Sequence, residues 1–318
     1  MKAAVLGLGQ IGLPVAQYIQ SKGLEVYGYD ISETTVTRVK QSAKFKTSTN
    51  WNEIPPVDAY VICVTTTQKK NLPDLSPVFD VCKLISQSAK PNSLVSIEST
   101  IIPGTSKKIY ETIFKKRIQL AHAPHRYWPA EPKKHGVNQL RVLGAVHQES
   151  LAVGLKFYKD KLDISMHVVS SVEVAEMCKI TENAHRYLQI AFAEELKMMC
   201  AKMGMNFDEL RGALNTKWNV DLPEARQGIG GPCLPKDIHY VTSVAQSEIL
   251  ESALNVDKKY LLQEAASNIA AMYVIQYDMS GYTSRSEAQT MLNVLWARAQ
   301  ECIALLKVEN VNKFVKAA

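Results

Sequence analysis

Three groups of residues in this sequence have the types and spacing to do chemistry. The first is Gly228-Ile229-Gly230-Gly231-Pro232-Cys233-Leu234-Pro235-Lys236-Asp237, where a thiol, an ammonium and a carboxylate crowd into one short stretch. Three Gly and two Pro within eight residues cannot extend a helix, so the stretch reads as a loop that approaches something closely and fixes Cys233. A thiol just ahead of a helical segment faces unpaired N–H groups, which favour the thiolate; a buried, inert cysteine is the competing reading. The second group is Glu176, Lys179, Asn183 and Arg186, spaced i+3, i+4 and i+3 within a helical pattern over Ser171–Met203. That spacing stacks them on one helix face, where a solvated polar stripe and a working face are both compatible with it.

The third group is Gly7-Leu8-Gly9-Gln10-Ile11-Gly12. It follows a short apolar strand, Ala3–Leu6, and opens a helical segment that runs to about Lys22, with Gly23 as its cap. Glu25–Tyr29 forms a second strand, ending at Asp30, 18 residues after Gly12. Each element has a mechanical task in dinucleotide binding. Gly7 permits the tight turn, Gly9 lets the backbone approach a pyrophosphate, and Gly12 lets the helix pack against the strand. Gln10 and Ile11 lead into the helix N-terminus, whose free N–H groups suit phosphate oxygens. A carboxylate at the end of the second strand can bind two ribose hydroxyls. Asp30, followed by Ile31 and Ser32 rather than Arg, favours NAD over NADP because it repels a 2′-phosphate.

The elements that must position these groups follow from the same patterning. Further strands read at Ala59–Val64 and Leu94–Glu98, a helix starts near Asp74 or Ser76, and another opens at Pro103-Gly104-Thr105. Short strands split by helices predict an α/β fold, a doubly wound parallel sheet of Rossmann type. Ligands then sit at the strands' carboxyl ends, which puts Thr66, Glu98, Ser99 and Thr100 on the cofactor side; capping and turn roles compete with direct contact for each. Beyond Ser171 the pattern is helical, with a break at Ser280-Gly281-Tyr282 and a last helical segment from 284 to about 307. The expected division is a dinucleotide-binding domain over 1–168 and a mostly helical second domain over 169–318.

Bulk properties bound the function. The 318 residues exceed one ordinary domain, and 46% hydrophobic with 21% charged residues is a globular balance. The net charge of +6 is scattered, with no basic stripe interleaved with aromatics, which argues against nucleic-acid binding and leaves room for an anionic small molecule. Six cysteines, at 63, 82, 178, 200, 233 and 302, form no CxxC pair and no zinc spacing, so no metal site is expected and the thiols read as free, in a reducing compartment. No cleavable leader and no apolar run long enough to span a bilayer are evident, which predicts a cytoplasmic protein that keeps clear of membranes.

These pieces together resemble the family of nucleotide-sugar 6-dehydrogenases, which act on UDP-glucose, GDP-mannose and UDP-N-acetylmannosamine. The resemblance runs in order through the chain to about residue 270: GLGQIGLP near the start, PDLSPV at 73–78, ESTIIPGT at 98–105, APHRYWPA at 123–130, EMCKITENAHRYLQIAFAEEL at 176–196 and GIGGPCLPKD at 228–237. The PHRYWPA segment looks nearest the N-acetylmannosamine branch. The resemblance implies a four-electron oxidation of a primary alcohol to a carboxylate with two NAD in turn. Cys233 matches the nucleophile that traps the aldehyde as a thiohemiacetal and later carries a thioester. Lys179 and Asn183 match the helix pair that stabilises the alkoxide and oxyanion, Asp237 the acid beside the thiol, and Thr66 and Thr100 positions lining the nicotinamide.

Two departures stand out. The family has Glu after the Pro of the PHR segment, whereas this chain has His125, which would have to serve as the base for thioester hydrolysis. The chain also reads as a short member without the C-terminal nucleotide-binding domain, so a nucleotide sugar and a smaller sugar phosphate are both candidate substrates. The family resemblance implies a homodimer, seamed by apolar residues near Ile190 and Phe192. A two-electron dehydrogenase of the β-hydroxyacid type, which needs no cysteine, and a non-catalytic NAD-binding subunit are the alternatives.

Overall fold

The structure, a computed structural model, describes residues 1–278 and 281–308. It comprises two compact units, Met1–Thr181 and a second beginning at Glu182.

The first unit alternates strands and helices. In chain order these are β1 (Lys2–Leu6), α1 (Gly12–Ser21), β2 (Glu25–Tyr29), α2 (Glu33–Ser42), β3 (Lys46–Ser48), β4 (Ala59–Ile62), a small hairpin of β5 (Thr67–Lys69) and β6 (Leu72–Asp74), and α3 (Ser76–Ser88). There follow β7 (Leu94–Ile97), α4 (Thr105–Thr112), β8 (Gln119–His122), β9 (Arg141–Ala145), α5 (Gln148–Leu155) and β10 (Met166–Val168). Eight strands form one sheet in the order β10-β9-β8-β7-β4-β1-β2-β3. Every pairing is parallel except β8 with β9, so the expected doubly wound sheet holds with one antiparallel junction.

Both faces of this sheet are covered, which is why its central strands are apolar at every position rather than at alternate ones. Successive side chains point to opposite faces. Ala3, Val5, Ala59 and Val61 thus join the core on one side, with Val15, Ala16 and Ile19 of α1, while Ala4, Leu6, Tyr60 and Ile62 join the other, with Val78, Cys82 and Ile85 of α3. The strands read from sequence at 59–64 and 94–98 end earlier, at Ile62 and Ile97, because the chain turns toward the ligand edge there. The cap expected at Asp74 or Ser76 differs too: Leu75 takes the N-cap position of α3 without a side-chain bond, and Asp74 Oδ1 instead accepts from Ser76 N at 3.1 Å.

A 32-residue helix, α6 (Val172–Met203), matches the helix read from sequence, and α7 (Phe207–Leu214), α8 (Leu234–Val244), α9 (Glu248–Tyr277) and α10 (Arg285–Val308) follow it. The core of the second unit gathers Ala193, Cys200, Phe207, Leu222, Ala225 and Tyr260. Helices α9 and α10 pack through Leu261, Ala265, Cys302 and Leu306. Gly281 and Tyr282 lie between them outside any helix, while Ser280, the first residue of the expected break, falls outside the described residues. Among the described residues no helix is long and apolar enough to cross a membrane, and no group of three or more His, Cys, Asp or Glu could hold a metal ion.

Candidate active site

The strand order reverses between β1 and β4, and their carboxyl ends carry Gly7 and Cys63 side by side. Gly7 adopts φ +89°, and a Cβ there would lie 2.7 Å from the Cys63 carbonyl oxygen. At Gly12 a Cβ would meet the Gly7 oxygen at 1.7 Å, so only glycine lets α1 start this close to β1. Gly9 is different: a Cβ would touch nothing within 4 Å, which leaves open space on the side where a pyrophosphate would approach. Helix α1 starts at the N-cap Ile11 with no side-chain cap, and an uncapped helix start of this kind suits phosphate. Asp30 closes the loop from the other side. Its Oδ2 accepts from Leu8 N at 2.7 Å and its Oδ1 from Ser32 N at 2.9 Å. A cavity of about 520 Å³, lined by Gly7, Gly9, Asp30, Cys63 and Thr65 among others, opens here. Open space at Gly9, an uncapped helix start and an acid at the end of β2 together fit NAD.

At the ends of β4 and β7 the structure buries Thr66 and Ser99 and half-buries Thr100. The Ser99 hydroxyl donates to Val64 O at 2.7 Å, tying the two strand ends together, a structural task the sequence left open beside ligand contact.

Next to them lies a buried charge cluster that the sequence did not foreshadow. Glu98 Oε1 lies 2.8 Å from Arg141 Nη1 and accepts from Tyr158 Oη at 2.6 Å, and Glu98 Oε2 lies 2.9 Å from His125 Nε2. The Arg141 and His125 approaches are at ion-pair distance but too bent for good hydrogen bonds. Tyr158 reaches inward from a π-helical turn over Lys156–Lys161, which puts the consecutive residues Phe157 and Tyr158 both into the core. Against the upward push of burial, Arg141 and His125 bring Glu98 down to about 2. Burial, then Arg141, with Lys179 a smaller contributor, lowers His125 to about 4, so its imidazole is neutral at pH 7. Tyr127 N donates to His125 Nδ1 at 3.3 Å, which leaves the proton on Nε2, toward Glu98. The lone pair a general base would use thus already has a donor, and His125 makes its charged contact inward. His122, one turn of chain earlier, is fully buried with neither ring nitrogen well bonded, and burial holds it at about 3.

The polar face of α6 divides its work. Glu176 is fully buried, and its oxygens accept from Gly104 N at 2.7 Å and Ser106 N at 2.8 Å. It thereby caps the start of α4, which has no side-chain cap of its own, rather than facing solvent. Lys179 is half-buried, and Arg186 is exposed and bonds only Gln189 nearby. In the second unit, Asn183 Nδ2 donates to Asp237 Oδ2 at 2.5 Å. The other oxygen of Asp237 receives Lys236 Nζ at 2.6 Å. Asp237 is fully buried, and its N–H donates to Cys233 O at 2.9 Å, closing the first turn of α8. Cys233 is the N-cap residue of that helix and is exposed. The exposed thiol thus stands at the start of α8, with Asn183, Lys236 and Asp237 in one bonded group.

A Gly-rich turn from strand to helix, with an acid at the end of the next strand, defines a dinucleotide-binding unit of the doubly wound class. Comparison with known proteins carries this further. The NAD binding domain of the UDP-glucose/GDP-mannose dehydrogenase family matches residues 33–162, and the central domain of the same family matches residues 173–268. The chain belongs to that family, and its cofactor is NAD. The UDP-N-acetyl-D-mannosamine dehydrogenase of Methanococcus maripaludis is 32% identical over 76% of this chain and 61% of its own length. An NDP-N-acetyl-D-galactosaminuronic acid dehydrogenase from Ralstonia nicotianae is 29% identical over 76% of this chain and 64% of its own. The structure of a UDP-D-ManNAc dehydrogenase from Pyrococcus horikoshii superposes with a TM-score of 0.80 at 26% identity, covering 94% of this chain and 81% of that one. The chain spans 61–65% of the length of the curated relatives it matches.

Proposed function

We propose that this protein is an NAD-dependent dehydrogenase that oxidises a primary alcohol of a nucleotide sugar to the carboxylate through Cys233. The observation that carries the reading is the bonded group of Asn183, Asp237 and Lys236 at the start of the helix that Cys233 caps. Bound NAD supplies the two-electron acceptor, used twice. Oxidation of the alcohol leaves an aldehyde, and the Cys233 thiolate adds to its carbon. The oxygen that becomes negative takes the Lys179 ammonium and the Asn183 amide as partners. Oxidation of that adduct leaves a thioester; water adds, the thiolate departs, and the carboxylate is released. Asp237, joined to Asn183, exchanges protons with the thiol and the water. Thr66, Ser99 and Thr100 line the nicotinamide end, and Asp30 holds the adenosine ribose.

The geometry of His125 supports a different role from the base that the sequence suggested: a neutral imidazole that ties the Pro124–Tyr127 turn to Glu98. The relatives' names support an N-acetylated amino sugar on a nucleoside diphosphate as substrate. We place the working division at the start of α6, with residues 1–168 for NAD and 169–318 for catalysis and pairing. Exposed Phe192, Met199 and Met203 along α6 support a homodimer seam, and the free thiols support a cytoplasmic setting. The test is to incubate the protein with NAD and a panel of nucleotide sugars. Two NADH per sugar consumed supports the scheme; one NADH, or none, overturns it.

A further inference from the structure

The segment that leads to Cys233 has no backbone ladder to hold it. Among the described residues, no N–H from Ala225 to Pro232 makes a backbone–backbone hydrogen bond. Its location comes from side chains on one face of α9 and the facing side of α6. Asp257 Oδ1 accepts from Ile229 N at 3.0 Å, and its Oδ2 accepts from Tyr187 Oη of α6 at 2.8 Å. One turn further along α9, Tyr260 Oη donates to Arg226 O at 2.5 Å and receives Lys197 Nζ at 2.7 Å. Lys197 in turn pairs with Glu264 at 3.3 Å. Gly228, at φ +85°, lies so close to α9 that a Cβ would sit 2.1 Å from Leu261 Cδ2. Asp257, Tyr260, Leu261 and Glu264 are spaced i, i+3, i+4 and i+7, so one face of α9 carries this side of the support, with Tyr187 and Lys197 of α6 facing it.

Beside Asp257 lies Glu194, fully buried, with neither carboxyl oxygen in a well-formed hydrogen bond. An isolated buried carboxylate is costly, and two adjacent ones more so. Lys197, Lys258 and Glu264 are the charged groups around the pair, with Tyr187 and Tyr260 as its hydroxyl neighbours. Burial, reinforced by the Asp257 charge, pushes the Glu194 carboxyl far up, so Glu194 keeps its proton. Asp257 remains the acceptor for both Ile229 and Tyr187.

We infer that Asp257 is the positioning residue of the Cys233 loop, fixing Ile229 to the seam of α6 and α9, with Glu194 as the second carboxyl of the pair. Without Asp257 the loop loses the side-chain acceptor of the Ile229 N–H, and the thiol loses its set relation to the start of α8. This inference deepens the reading of Cys233 as nucleophile, yet its test does not need turnover.

The experiment follows alkylation of Cys233 by iodoacetamide in the full chain, resolved by peptide mass spectrometry across the pH range, with thermal unfolding measured in parallel. Asp257→Ala should slow Cys233 alkylation at pH 7 at least fivefold, while buried Cys82 and Cys200 stay protected. Tyr187→Phe, which removes one of the two anchors and leaves Asp257 in place, should give a smaller change in the same direction. Glu194→Gln keeps the shape and the neutral state and should stay within twofold of the native rate. A folded Asp257→Ala protein with the native rate overturns the inference. If that variant does not fold, a native rate in Tyr187→Phe overturns it instead. Loss of dehydrogenase activity in Cys233→Ser bears on the catalytic scheme and leaves these rates untouched as a measure of the loop.

Discussion

Asn183 and Asp237 meet at 2.5 Å, amide nitrogen to carboxylate oxygen, although 54 residues separate them in the chain. With Lys236 on its other oxygen, Asp237 is engaged on both sides while remaining fully buried. A carboxylate so held fixes which way the Asn183 amide points: nitrogen toward Asp237 in this arrangement. Oxyanion stabilisation depends on that kind of fixed donor.

Asn183→Ala should therefore lower kcat by about 10²–10³, the cost seen when one oxyanion donor is lost, with little change in KM for the sugar. Asp237→Asn should do comparable harm by a different route, since its amide can turn a donor toward Asn183. Steady-state kinetics of both variants check this, and a KM effect with kcat unchanged would contradict it.

Cys233→Ser should abolish release of the carboxylate product while leaving NAD binding intact. NAD titration followed by protein fluorescence, together with product analysis by mass spectrometry, separates the two. A variant that still forms the acid would point to a route that does not use the thiol.

Asp30→Ala should weaken NAD by roughly 10–100-fold, since charge-assisted hydrogen bonds contribute about 1.5–3 kcal/mol each. Part of that loss reflects the Leu8 and Ser32 N–H groups, which lose their acceptor. The preference for NAD over NADP should shrink as well, because the charge that repels a 2′-phosphate is gone. KM for each cofactor measures both effects.

Stability should fall on the acid side, with a sign set by two histidines. His122 titrates at about 3 and His125 at about 4 in the folded protein, both below the ordinary 6.5 of a free imidazole. Between pH 6.5 and 4 the unfolded chain therefore binds protons that the folded chain does not. Stability is fully present above that window and is lost as pH falls through it, by roughly 1.4 kcal/mol per pH unit for each histidine. Glu98, at about 2 against an ordinary 4.5, adds a loss in the same direction at lower pH. His122→Leu should reduce the slope between pH 6 and 4.5 by roughly 1.4 kcal/mol per pH unit, read from urea unfolding at several pH values.

Arg141→Met leaves Glu98 buried beside a neutral imidazole, a phenol and the Cys63 thiol, and should cost about 3–5 kcal/mol. Adding Glu98→Gln should recover part of that loss, because the uncompensated charge is then removed. Denaturant midpoints for the single and double variants give the coupling between the two side chains.

Much of this was legible in the sequence because local rules and the fold agree there. Gly7 and Gly12 do what turn and packing geometry require of a glycine, Gly9 leaves open space beside the loop, and Asp30 follows at the distance one helix and one strand demand. The helix from residue 171 to 203 announced itself by periodicity, and the loop before Cys233 by its Gly and Pro content. What stayed hidden depends on long-range meetings. Glu176 shared a face with Lys179 and Asn183, and nothing local showed that it would cap a helix some 70 residues earlier. Arg141 at the head of an apolar strand was a signal, since a charge there calls for a partner, but which partner only the sheet order reveals. His125 was read from a motif as a base, while its lone pair and proton are directed by Tyr127 and Glu98.

Lys179 and Asn183 both stand on helix α6 (Val172–Met203). These two residues are one turn apart on that unbroken helix, about 6 Å along its axis. Their spacing is thus written into covalent and hydrogen-bonded helix geometry. A break in the helix here, for instance by Glu182→Pro, would cut an internal ruler, and the ammonium and the amide would lose their common frame.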